Sequence, residues 1–214
     1  MITTFIKALP FVLLFCIGNV LVAAPSESML KQLGRRAAEG NLDAIDKLVD
    51  AKKDLYKGID YRNEPERVRN NALMMRAAFA EISKAVVSGN EKAYTSLEYA
   101  VTKHDLESWA ATALGEVAAK GHKKALNVLI EYKTNGIPKS TAVRALHTSA
   151  EKMIPEAVEF MIQVIEDEKS KALWGPAADS LGSAAARGNI RAKAAIDKFK
   201  EEVESRKKGQ DTKP

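Results

Sequence analysis

The side chains able to do chemistry are few and scattered. Three histidines, His104, His122 and His147, are present, and none is set in a metal-binding motif with its neighbours. Glu166-Asp167-Glu168 pairs carboxylates at a helix end, but no flanking pattern marks a pocket, and the cluster reads as a solvated linker. Asp54 and Asp60 do not form a calcium loop. No glycine-rich phosphate loop and no nucleophile elbow occur, and Ser180 to Ser183 lie in a helical stretch. No catalytic residue, metal or cofactor is therefore expected. The aromatic residues offer binding chemistry instead. Trp109 and Trp174 suit either packing between units or an exposed platform for a sugar or peptide. Tyr56, Tyr61 and Arg62 stand in a charged stretch, Lys52 to Asn70, that reads as a surface loop or a partner-binding insertion.

The elements that position these residues follow from composition and spacing. The chain has 214 residues, 46% hydrophobic and 29% charged, with only 6% aromatic. Its wealth of Ala, Leu, Glu and Lys favours helix, because these side chains lose little freedom there. The first residues are set apart. Lys7 precedes the apolar run 8–22, and Val22-Ala23-Ala24 offers a small-residue cleavage site after Ala23 or Ala24. Residues 1–24 thus read as a signal peptide, with an uncleaved anchor as the alternative. Cys16, the one cysteine, leaves with that segment, so the mature chain has no thiol and no disulfide. Its net charge falls from +5 to roughly +4 as Lys7 goes. Charges of both signs are interspersed, which argues against a nucleic-acid partner. No membrane span is expected after cleavage, and the location is periplasmic or secreted.

One pattern recurs in the remainder: Gly-Asn, then Ala three residues on, then Leu four further. It begins at Gly40, Gly89, Gly121 (with His122 for Asn) and Gly188, and in degenerate form at Met153. Seven residues before each start is an apolar residue: Leu33, Ile82, Leu114, Leu146 and Leu181. Each position has a mechanical reason. Glycine can take the left-handed conformation that closes one helix, and Asn can cap the next. The Ala positions let helices approach, and Leu fills the seam between them. Links of one or two residues make the two helices antiparallel neighbours. The expected helices are 27–39 and 41–54, 66–88 and 90–102, 105–120 and 122–133, 139–152 and 154–166, and 170–187 and 189–206. Pro176 predicts a kink or a late start at Gly175. The starts lie 49, 32, 32 and 35 residues apart. The long first gap places an insertion at 52–65.

These copies are similar to HEAT-like repeats, in particular the short kind first named from phycobilisome lyases. The ankyrin and tetratricopeptide signatures are missing. The resemblance covers roughly 33–200. It implies an all-α fold, a right-handed α-solenoid of about five antiparallel helix pairs over 25–206; the polar, charged end of the chain, 207–214, reads by its own composition as a disordered tail. The resemblance also implies an adaptor or scaffold that holds a protein or peptide partner on a concave face lined by the second helices. An accessory subunit or enzyme with a ligand in that groove is the alternative. On such a face the residues two, three and six after the motif Ala point outward, which nominates Ser96, Tyr99, Asn127, Glu131, Glu159 and Gln163. The oligomeric state is left open.

Overall fold

The structure, a computed structural model, describes residues 24–210, with side chains to 206. The expected signal peptide lies outside the described residues but for Ala24. All regular structure described is helical. The helices are α1 (Glu27–Ala38), α2 (Leu42–Tyr56), α3 (Pro65–Val87), α4 (Glu91–Val101), α5 (Glu107–Ala118), α6 (Lys123–Ile130), α7 (Lys139–Glu151), α8 (Pro155–Glu166), α9 (Trp174–Ala186) and α10 (Ile190–Gln210). A 3-10 turn, Glu168–Leu173, precedes α9, so the helix expected from 170 begins at Trp174. At the other end, α10 extends through Gln210, so the tail expected from 207 is helical over its first residues.

The same turn builds all five pairs. Gly40, Gly89, Gly121 and Gly188 take φ of +91°, +87°, +92° and +95°. In each the turn residue donates its N–H to the carbonyl three residues back, as Gly40 does to Ala37 (2.9 Å), and the next residue donates to the carbonyl five back, as Asn41 does to Arg36 (3.1 Å). That pair of bonds satisfies carbonyls that a helix end leaves orphaned. Met153 makes the same two bonds at φ +61°, a conformation that crowds its Cβ. Asn41, Asn90 and Asn189 then cap the following helix by accepting from the N–H of Ala44, Ala93 and Ala192. His122 does so through Nδ1, which accepts from Ala125 N–H at 3.3 Å and so places the neutral ring's proton on Nε2. The fourth pair has no side-chain cap; Pro155 at the first position of α8 supplies the helix start.

The odd-numbered helices pack each on the next, α1 on α3, α3 on α5, α5 on α7 and α7 on α9. Each even-numbered helix packs on the odd one before it and only lightly on its even neighbours. The motif residues form the core between them. Ala44, Ala93, Ala125, Ala157 and Ala192 are fully buried, as are Leu48, Leu97, Leu129 and Met161. Each such large side chain contributes about 1.5–3 kcal/mol of burial free energy. Two glycines let odd helices touch backbone to backbone. A Cβ on Gly34 would lie 2.2 Å from the Ala78 carbonyl oxygen, and one on Gly115 would lie 2.1 Å from that of Ala145.

The insertion is helix at both ends. α2 reaches Tyr56, and α3 has 23 residues where α1 and α5 have 12. Between them Asp60 organises a tight turn, accepting from Arg62 N–H (3.0 Å) and from the Asn63 side chain (2.7 Å). Those bonds, the Arg62 N–H first, hold its carboxyl below the usual range. Asn71 anchors α3 by donating to the Leu55 carbonyl at 2.6 Å.

Candidate functional site

The most developed depression on the even-helix side lies between α6 and α8. It exists because α6 is only eight residues long. The chain leaves α6 at Ile130, and the Asn135 amide donates to the carbonyls of Val128 (3.1 Å) and Glu131 (3.2 Å), which turns the backbone away through Gly136. The C-terminal half of α8 is left without a helix on its α6 side. The groove has two lobes that share Ile130, Phe160 and Gln163 as a common floor. One, of about 430 Å³, adds Glu131, Tyr132, Lys139 and Asp167. The other, of about 470 Å³, adds Asn127, Pro155, Glu156, Glu159 and Arg191. Tyr132 meets the Phe160 ring edge-on at 6.0 Å, which gives the first lobe an aromatic corner.

Ion pairs stitch other junctions of the even helices. Lys103, just after α4, reaches Asp46 of α2 at 2.9 Å, and Lys124 of α6 reaches Glu91 of α4 at 3.0 Å. Arg191 and Lys198 of α10 reach Glu159 (2.6 Å) and Glu166 (3.4 Å) of α8. Among the described residues no ion pair joins α6 to α8. At one end of the groove Lys139 Nζ donates to Asp167 (2.7 Å) and Ser170 Oγ (2.6 Å), while Asp167 also accepts from Ser170 Oγ–H and Lys169 N–H. The Lys139 bond, then those of Ser170 and Lys169, hold the Asp167 carboxyl far below its usual range. Asp167 therefore stays ionised and serves as an anchor for the 3-10 turn, not as a proton donor. The acidic cluster is accordingly no free linker: Glu166 and Glu168 are paired too, with Lys198 and with Arg206.

Four of the nominated residues come together here: Asn127, Glu159 and Gln163 in one lobe, Glu131 and Gln163 in the other. Tyr99 lines neither lobe. Its hydroxyl bonds Asp46 (3.2 Å) and Lys103 lies over its ring at 4.3 Å, so it ties α4 to α2. Ser96 is buried, not outward, and donates to the Ala37 carbonyl at 2.6 Å. Tyr56 and Tyr61 stack at 6.2 Å on the insertion turn beside Arg62, a separate surface. Burial, and after it the neighbouring Tyr61, raises the Tyr56 hydroxyl above its ordinary value.

The structure also assembles a group that the sequence reading left apart. His147 Nδ1 lies 2.7 Å from Ser180 Oγ, and its Nε2 lies 3.4 Å from Glu151, four residues on along α7. A serine, histidine and carboxylate in line invite comparison with a hydrolase triad. Two facts speak for a structural role. Ser180 is fully buried, and its hydroxyl already donates to the Pro176 carbonyl at 2.9 Å. The contact between His147 and Ser180 fastens α7 to α9, while Glu151 lies on α7 itself. Trp174 is half-buried, and it is tied down by donating Nε1–H to the Asp167 carbonyl (3.2 Å) and by meeting Phe199 edge-on at 5.6 Å.

No protein-family model, no curated protein and no solved structure matches this chain. Among the described residues no three metal-ligating side chains converge, and no helix is long and apolar enough to cross a membrane.

Proposed function

We propose that this chain is an exported helical-repeat scaffold of HEAT-like type that holds a peptide segment of a protein partner in the groove between α6 and α8. The observation that supports this most is the convergence of Asn127, Glu131, Glu159 and Gln163 around the Ile130–Phe160 floor. An apolar floor with hydrogen-bonding groups along its rim suits a chain with alternating side chains and backbone amides. In this reading the five pairs are antiparallel and stack as a right-handed solenoid. The short glycine turns and the odd-on-odd packing support that arrangement. The small size of the Lys139 lobe, about 430 Å³, favours a second reading, a small-molecule site in an accessory subunit or enzyme.

Export and groove are tested separately. N-terminal sequencing of the protein from its native compartment should find a start at Ala24 or Pro25; a chain beginning at Met1 in the cytoplasm would refute export. For the groove, native envelope extract is cross-linked to the protein and to its Gln163→Arg variant, and cross-linked peptides are identified. Cross-links from partner peptides to Glu131, Glu159 or Lys139, lost in Gln163→Arg, are expected. An unchanged set of cross-links would sink the groove reading.

A further inference from the structure

Trp109 occupies a different surface, on the odd-helix side, and its surroundings differ from those of Trp174. It is half-buried, and among the described residues its indole N–H has no acceptor. It forms a ridge between two depressions. The first, about 260 Å³ between α3 and α5, has an apolar floor of Phe79, Ala80 and Ala113, closed at one end by the Arg76–Glu116 ion pair (3.1 Å). The second, about 230 Å³ between α5 and α7, is edged by Ser108, Thr112, Thr141 and Arg144. Arg144 is exposed and has no ion-pair partner among the described residues, and no carboxylate lines its depression. The Glu116 charge on the other side is already answered by Arg76.

We infer that this cleft binds an extended acidic peptide segment with an aliphatic side chain in the first depression and a carboxylate on Arg144 in the second. The spacing is set by the helices. Adjacent packed helices are about 8–10 Å apart, and a chain in the extended polyproline II conformation advances about 3.1 Å per residue with about three residues per turn, so every third side chain faces the same way. The two pockets are therefore about three residues apart, and the recognised pattern is an aliphatic residue followed, three positions on, by Asp or Glu. The chain between crosses the Trp109 ring, whose free N–H can donate to one of its carbonyls. Arg144 suits a carboxylate because its guanidinium presents a planar pair of donors. A polysaccharide of acidic sugars would also meet Arg144 and stack on Trp109. It would, however, place hydroxyls over the apolar Phe79–Ala80–Ala113 floor, which an aliphatic side chain covers at no such desolvation cost. The peptide is the better fit. The inference is independent of the α6–α8 groove and stands or falls apart from it.

The test uses Trp109 as its own probe, since the chain has only two tryptophans. In the Trp174→Phe protein, Trp109 fluorescence is followed during titration, to about 1 mM, with the blocked peptide Gly-Leu-Ser-Ser-Asp-Gly. Analogues carry Lys for Asp, or Ser for Leu. A saturable shift with the Asp peptide is expected, weakened about tenfold or more by either replacement. Arg144→Glu should reverse the preference between the Asp and Lys peptides, which loss of packing alone would not do. Arg144→Gln, another exposed change, should abolish the preference without reversing it. Equal binding of the Asp and Lys peptides, or no saturation with either, overturns the inference. So does a shift produced by polygalacturonate and not by the Asp peptide.

Discussion

Gly34, Gly115 and Gly182 each follow the apolar residue seven places before a turn, yet replacing them with alanine should have opposite effects. At Gly115 the added Cβ would lie 2.1 Å from the Ala145 carbonyl oxygen, and at Gly34 2.2 Å from that of Ala78, whereas ordinary contact begins near 3.4 Å. Both obstacles are backbone atoms of the facing helix, so α5 and α7, or α1 and α3, must part by roughly 1 Å. Such overpacking destabilises by about 1–3 kcal/mol, and the better helix propensity of alanine returns only about 0.5–1 kcal/mol. Around Gly182 nothing lies within 4 Å, so there the propensity gain stands alone. With a net loss of about 1–1.5 kcal/mol, Gly115→Ala and Gly34→Ala should lower the unfolding midpoint by about 2–6 °C, while Gly182→Ala raises it by about 2 °C. Thermal and urea unfolding followed by far-ultraviolet circular dichroism reads all three. If Gly115→Ala is stabilised like Gly182→Ala, the backbone contact between α5 and α7 is not real.

Met153→Gly should stabilise by roughly 0.5 kcal/mol, because it relieves a left-handed conformation that costs an ordinary residue about 1–2 kcal/mol; the converse change, Gly121→Ala at φ +92° with nothing within 4 Å, should destabilise by about 1 kcal/mol. A gain from Gly121→Ala in urea titrations would contradict the turn geometry. Ser83→Ala should raise stability by about 1 kcal/mol, since the Ser83 hydroxyl is buried without a partner; a loss in the same assay would mean that the hydroxyl is bonded. Asp167 has its carboxyl pKa lowered on folding, so its stabilisation is present above the unfolded value near about 4 and is lost as pH falls through the lower folded one. Asp167→Asn should therefore lose stability at neutral pH and flatten the acid limb below about pH 4; an unchanged acid limb would show that Lys139 and Ser170 do not hold this carboxylate.

What could be read from the residues was whatever one residue type enforces locally. A left-handed turn needs glycine and a helix start wants Asn, so four turns announced themselves, and the fifth, at Met153, was found through Ala157 and Met161. The register of the turns also placed Asn127, Glu131, Glu159 and Gln163 on one surface. The third position after the motif Ala went wrong for a packing reason: Ser96 faces the end of α1 and is buried, bonded to the Ala37 carbonyl. The length of the insertion was visible, and so was the long α3 that follows it, but not the Asp60 turn that joins α2 to α3. Other features depend on long-range packing. The Lys139–Asp167 bond joins residues 28 apart, and the His147–Ser180 bond joins residues 33 apart. Trp109 acquires its cleft only when three helices that are distant in sequence line up.

The glycine contacts also bear on how the molecule yields under load. Backbone-to-backbone contact locks α1 to α3 and α5 to α7, while the α3–α5 and α7–α9 seams have no such glycine. A pull along the array loads these seams in series, and the softer ones take up most of the extension. The protein then behaves as stiff segments joined by compliant joints rather than as a uniform spring. One of these joints, α3–α5, holds the apolar pocket beside Trp109, so tension would widen that pocket before disturbing the locked pairs on either side.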